Sequence, residues 1–217
     1  MLAPSIVDTR RVYQHVVNIY LPIGLGVFAV FTIAIVTLAL WGRRRRPEQA
    51  SRLHEANPLE IGYAVLLTCV AAFLLYITFG AEHKVDTVSA EERPALTVDV
   101  TGARWVWIFH YPAYGITHES GAIGAQPLVV PTNEPVRFNL TSADVIHGFW
   151  IPELRFKRDA MPGTVEHVTL DFDQAGTFSG SCSEFCGLLH SEMVFTVRAV
   201  SPAAFRRWAD SKGRLAP

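Results

Sequence analysis

Only three cysteines occur among the 217 residues, so the chain cannot be a small domain stapled by several disulfides. Net charge is almost absent too. Lys and Arg number 19 against 20 Asp and Glu, a formal −1, which excludes a basic nucleic-acid binder and a charged disordered chain. There is no internal repeat, no low-complexity segment, and no C-x-x-C-H sequence for attaching a haem c covalently.

Charge is missing most completely from residues 16–41, VVNIYLPIGLGVFAVFTIAIVTLALW. That run exceeds the roughly 20 residues a helix needs to cross a bilayer core. A second run, residues 61–80, IGYAVLLTCVAAFLLYITFG, is just long enough. The loop between them, residues 42–60, holds Arg43, Arg44, Arg45, Arg46 and Arg52, against Arg10 and Arg11 before the first run. By the positive-inside rule the loop is cytoplasmic, which puts both termini outside a bacterial cell membrane crossed twice. A cleavable signal peptide is disfavoured: the first run is too long for one, lacks a small-residue cleavage site, and ends in a stop-transfer block of arginines. Pro22, Gly24 and Gly26 are tolerated within a span, and Cys69, mid-span, reads as packing. Residues 1–82 are thus expected to form a transmembrane helical hairpin.

Residues 83–95 are polar and read as a linker. From Leu96 on, the segments LTVDVTGA, RWVWIFHY, QPLVVP, PVRFNLTS, VEHVTLDF and MVFTVRAV alternate β-branched and aromatic residues between Gly, Pro, Asn and Asp, predicting an all-β sandwich or barrel over 96–200. Residues 201–217 close the chain with a short helix, AAFRRWADSKG, and tail.

Two of the three cysteines fall in residues 182–193, CSEFCGLLHSEM. A disulfide between Cys182 and Cys186 suits an oxidising compartment, but it has no use for the histidine and methionine that follow. Zinc would take thiolates and imidazoles and leave Met193 idle. Copper takes soft thiolates, imidazoles and a weak methionine. A single blue-copper site uses one cysteine, and here there are two; spaced i, i+4 in a tight loop, both can bridge a metal pair. Each copper then needs its own histidine. His190 is one, and His147, in SADVIHGFWIP, is the best candidate for the other.

The pattern C-x-E-x-C-G-x-x-H-x-x-M, preceded by D-V-x-H-x-F-W-x-P-E-L and a W-x-W run, resembles subunit II of cytochrome c oxidase with its dinuclear CuA centre. The resemblance covers nearly the whole chain and implies two spans followed by a cupredoxin-like domain. It implies that Cys182 and Cys186 bridge two coppers, that His147 and His190 bind one each, and that Met193 and the backbone carbonyl of Glu184 are weak ligands. The Glu184 side chain would help bind magnesium at the boundary with the catalytic subunit. Trp105 would receive the electron from cytochrome c. The partners implied are subunit I, the other oxidase subunits and membrane lipid; the chain would pass electrons to haem in subunit I for oxygen reduction coupled to proton pumping. The apolar residues Phe149, Phe185, Leu188 and Leu189 are expected around the metal pair, excluding water.

Several positions depart from the common family pattern. Arg104 stands for a glutamine, His110 for a glutamate and Ala143 for a frequent acid, so the docking face is expected to be acid-poor, favouring a cytochrome c held by a membrane anchor or a supercomplex. Trp105 and Trp107, two apart, are expected on one face of a strand. In the second span Glu60 matches the family, but Tyr63, Ala64 and Leu67 do not; Glu60 reads either as a dipole-complementing residue or as the mouth of a proton path. Quinol oxidase subunits lack the copper ligands, nitrous oxide reductase has a larger catalytic domain, and a copper chaperone would expose exchangeable ligands. The copper subunit of a CuA-containing nitric oxide reductase stands as the alternative.

Overall fold

A computed structural model describes residues 9–43, 57–91, 93–122 and 125–213. It divides into two compact units, Tyr13–Glu82, and Met1–Val12 together with His83–Pro217.

Two long helices are present, α1 (Thr9–Arg43) and α2 (Asn57–Glu91), and the first unit takes α1 from Tyr13 and α2 as far as Glu82. Both are long and apolar enough to cross a membrane, over Thr9–Arg43 and Glu60–Asp86. At 1.5 Å per residue each is about 52 Å long, well beyond the roughly 30 Å of a bilayer core. Pro22 lies inside α1 without ending it. Tyr20 ties the pair together by donating its hydroxyl to the Leu74 carbonyl at 2.9 Å. Arg44, Arg45, Arg46 and Arg52 lie outside the described residues.

The linker expected at 83–95 is mostly helix. α2 runs on to Glu91 because nothing between Gly80 and that point forbids another helical turn. Pro94 then disfavours helix at Arg93, and only a few residues remain before the first strand.

The β-unit has ten strands in two five-stranded sheets. The first sheet orders β3 (Ile116–Gly121), β2 (Val106–Tyr111), β1 (Leu96–Ala103), β5 (Val136–Ser142) and β8 (Glu166–Leu170). β1 runs parallel to β5, with Val100 beside Leu140, and antiparallel to β2, with Val100 beside Phe109. The second sheet orders β4 (Leu128–Pro131), β10 (Val194–Val200), β9 (Gly176–Cys182), β6 (His147–Ile151) and β7 (Phe156–Ala160).

Strict alternation along β1, β2 and β5 turns Val98, Val100, Trp107, Phe109, Phe138 and Leu140 inward, where they meet Phe149, Phe195 and Val197 of the second sheet. Rings bridge the layers. Trp107 lies edge-on to Phe149 and Phe195 at 5.3 and 5.7 Å, and Phe149 stacks on Phe195 at 4.7 Å. The closing helix α3 (Pro202–Gly213) buries Phe205 and Ala209 and sets Trp208 against Tyr111.

Four strands were not among the expected segments: β3, β6, β7 and β9. ITHESG, FKRDA and GTFSGSC carry small or charged side chains where a strand signal needs branched ones, and HGFWI is short and buried on both faces, so it shows no alternation. Gly180 in β9 shows why the signal is weak there. A Cβ on it would sit 2.2 Å from the Phe195 ring, so a residue of low strand propensity is required by packing.

Candidate metal centre

Antiparallel pairing gathers the ligands at one end of the second sheet. β6 pairs with β9 so that Phe149 faces Cys182, which places His147, at the start of β6, beside the last residue of β9. The chain then loops through Ser183–Glu192 and returns as β10, and the amide of Cys182 donates to the Met193 carbonyl at 2.9 Å. The loop is thereby closed at its base by a sheet hydrogen bond.

Both cysteines are free thiols, their sulfurs 3.8 Å apart. His147 Nδ1 is 3.8 Å from Cys182 Sγ and His190 Nδ1 is 3.5 Å from Cys186 Sγ. The Met193 sulfur is 3.8 Å from Cys186 Sγ, and the Glu184 carbonyl accepts from Cys182 Sγ at 3.2 Å. The donor atoms of His147, Cys182 and Cys186 all lie within 4.8 Å of one another, and the three residues are buried. Each sulfur therefore has its own imidazole, and each end of the pair has one weaker donor. This soft, nearly symmetric set fits two coppers.

The electrostatics are those of a thiol pair sharing one pocket. Burial works to raise the Cys182 pKa, but contacts with His147, the Gly148 and Glu184 backbone and Cys186 outweigh it and bring the thiol down. Burial and the neighbouring Cys182 push Cys186 up. One thiol is thus brought down and its neighbour pushed up, as for two groups whose negative charges oppose each other in one pocket.

His147 is fully buried and its tautomer is fixed from outside. Its Nε2 donates to Asp144 Oδ1 at 2.9 Å, which turns Nδ1 toward the cysteines. Burial would raise the Asp144 pKa, yet donors from His147, the amides of Arg104 and Val145 and the Arg104 side chain hold it well below the usual carboxylate range. Gly102 makes room for the imidazole: a Cβ there would stand 2.8 Å from His147 Cδ2.

Two expectations about aromatic and apolar residues fail here. Trp105 and Trp107 do not share a strand face. Trp105 sits in the turn before β2, while Trp107 is wholly buried, its ring edge-on to His147 at 5.9 Å. The Trp105 indole lies over the loop that carries Cys186 and donates Nε1 to the Cys186 carbonyl at 3.2 Å. Gly187 beneath the indole has φ +115°, a backbone conformation that a side chain would strain. Nor do all four apolar residues surround the cysteines. Phe149 is buried, but Phe185 and Leu188 are 83% and 86% exposed and Leu189 is exposed too. A loop that turns its sulfur and imidazole donors inward must turn the residues between them outward.

Glu184 faces two ways. Its carbonyl points to Cys182, and its carboxylate is paired with the Lys157 ammonium, which also lies 3.8 Å from Asp159. Arg104 is not a bare surface charge, since its Nε is 3.0 Å from Asp144 Oδ2. His110 bonds Thr117 at 2.8 Å and Ala143 is exposed. Glu60 lies exposed in the first turn of α2. Asp144 and Lys157, which touch the expected site residues His147 and Glu184, are not among the functional residues expected from the sequence. A carboxylate three positions before a candidate ligand was a readable signal for Asp144; Lys157 meets Glu184 only through the β6–β7 pairing, which leaves no local trace.

Residues 96–200 match the family described as cytochrome c oxidase subunit II, periplasmic domain. The chain is 27% identical to cytochrome c oxidase subunit 2 of Cereibacter sphaeroides, over 90% of this chain and 75% of that one. It is 30% identical to cytochrome c oxidase subunit 2 of Alkalihalophilus pseudofirmus, over 96% of this chain but 60% of that one, so it spans about three-fifths of that relative's length. The crystal structure of the periplasmic domain of subunit II of cytochrome oxidase from Bradyrhizobium japonicum superposes with a TM-score of 0.54 at 31% identity, covering 57% of this chain and 97% of that one. The β-unit is thus the cupredoxin-like, extracytoplasmic domain of a membrane protein, preceded by two helices fit to span the bilayer. With the fold, the ligand loop and the matched residues in agreement, the chain belongs to the cytochrome c oxidase subunit II family, as one subunit of an oxidoreductase complex.

Proposed function

We propose that this chain receives electrons from a cytochrome c outside the membrane, at a dinuclear copper centre, and delivers them to haem in subunit I for oxygen reduction coupled to proton pumping. The observation that carries the reading is the paired donor set: two buried thiols 3.8 Å apart, each facing its own histidine nitrogen. When bound there, a copper pair supplies one-electron chemistry with little rearrangement, because thiolates shared by two metals spread the change in charge.

The protein's part is to hold that set still and closed. Cys182 and Cys186 would bridge, His147 and His190 would each take one copper, and Met193 and the Glu184 carbonyl would be the weak ligands. All six donors come from the chain, which leaves no open position for a substrate. Trp105 joins the centre to the surface through its hydrogen bond to the Cys186 carbonyl, which supports it as the residue that receives the electron. Glu184 would serve magnesium at the boundary with subunit I only if the metal displaces the Lys157 ammonium. Glu60 at the mouth of a proton path, and an orientation with both termini outside, belong to the same reading.

Electron paramagnetic resonance of the copper-loaded chain tests the centre. A seven-line hyperfine pattern, from one unpaired electron shared by two copper nuclei, is expected, and Cys182→Ser should abolish it. A four-line pattern or a silent zinc protein overturns the dicopper reading. Oxygen consumption by the whole oxidase, supplied by its membrane donor, tests the electron's route. Trp105→Ala should slow it without altering the copper spectrum, and raising the salt should leave it unchanged, since a tethered donor needs no electrostatic steering. Unchanged turnover in Trp105→Ala, measured where electron input limits the rate, overturns Trp105 as the receiver. A steep fall with salt overturns the tether.

A further inference from the structure

We propose that Arg104 is a positioning residue for the metal ligand His147, acting through Asp144; the proposal rests on His147 being a copper ligand. Asp144 has two oxygens with different tasks. Oδ1 accepts from His147 Nε2 at 2.9 Å and from the Val145 amide at 2.7 Å, with the Ser142 hydroxyl at 3.5 Å. Oδ2 is held by Arg104 alone among the described residues, through the backbone amide at 2.9 Å and the side-chain Nε at 3.0 Å.

A carboxylate turns readily about its terminal bond. Arg104 grips one oxygen from two directions and so fixes the plane in which the other meets the imidazole. The effect reaches His147 as a fixed Nε2 hydrogen bond and a fixed ring plane, which keeps Nδ1 facing the cysteines. Arg104 can do this because the turn after β1 carries it over the start of β6, where Gly102 lets His147 pack beneath. It is half exposed, so its removal leaves the core untouched. The same turn carries Trp105, so adjacent residues connect the surface to opposite ends of the donor set: Arg104 to His147, and Trp105 to Cys186. An arginine at this position, where the family commonly has glutamine, is therefore no simple loss of docking charge.

The experiment uses the full chain in detergent, first metal-free. Nitrogen-15 NMR of His147 should show a protonated Nε2 that exchanges slowly with water. In Arg104→Gln that proton should exchange at least about tenfold faster, with thermal unfolding little changed, because the ion pair it removes is half exposed on the arginine side. Copper binding is then measured by competition with a chelator. Loss of an outer-shell partner costs about 10- to 100-fold in metal affinity. Asp144→Asn should show that full loss, and Arg104→Gln a loss near the tenfold end. Unchanged proton exchange and copper affinity in Arg104→Gln would overturn the proposal, as would Asp144→Asn binding copper like the parent. If the bound metal is not a copper pair, the spectrum of the loaded parent reveals it, while the metal-free proton measurement still decides whether Arg104 positions His147.

Discussion

Phe73 and Phe149 are the same residue in the two units and have opposite surroundings. Phe73, in α2, is 49% exposed, while Phe149, in β6, is fully buried. The contrast holds unit by unit. No described residue of α1 is buried, whereas the β-unit turns alternate residues of β1, β2, β3, β5, β9 and β10 into one core. An apolar residue facing outward is a fault in water and a requirement in lipid, so the two units solve the hydrophobic effect in different solvents. The β-unit carries its own core; the helices leave theirs to be completed by the bilayer and neighbouring subunits.

The sharpest way to break that comparison is to shrink a ring in the β-unit. Phe149→Ala, beside Cys182 and beneath Trp107, should cost about 3–5 kcal/mol, read by urea unfolding of the full chain in detergent. The same change at Phe73 should stay within about 0.5 kcal/mol. Equal costs at the two sites would mean that α2 packs within the chain far more than its exposure indicates.

A smaller effect belongs to the helices. Phe73→Arg puts a cation near the centre of the span Glu60–Asp86 and should raise its insertion free energy by about 2.5–3.5 kcal/mol, measured by a glycosylation-based insertion assay. Undiminished insertion would argue that this helix does not cross the membrane.

The smallest effect is found only where water and core meet. His118 is buried, stacked on Tyr111 at 5.6 Å, with Nε2 on the Pro127 carbonyl at 2.9 Å. Burial lowers its pKa; the Pro127 carbonyl opposes this and Lys212 adds to it. The unfolded chain therefore binds the proton first. Stability should decline as pH falls from the unfolded value, about 6.5, toward the lower folded one, by no more than about 1.4 kcal/mol per pH unit. Urea midpoints between pH 7.5 and 5 read this, and His118→Asn should lose that part of the slope. An identical slope in the variant would place the effect elsewhere.

What the sequence determined by itself is whatever is local and additive. Spans 16–41 and 61–80 are written in uninterrupted hydropathy, and the loop C-S-E-F-C-G-L-L-H-S-E-M carries its ligand chemistry within one turn of chain. The strongly alternating strands β1, β2 and β5 were legible because a branched residue at every second position has one reading. Weakly patterned strands such as β7 and β9 were not, because their pairing is imposed by partners. Only the tertiary structure decided what depends on register. It brought Lys157 to Glu184, separated Trp105 from Trp107, turned Phe185 and Leu188 outward, and set Asp144 between Arg104 and His147. Those contacts join residues of different strands and loops. A one-residue slip would send each side chain to the opposite face, so no property of the residues alone fixes them.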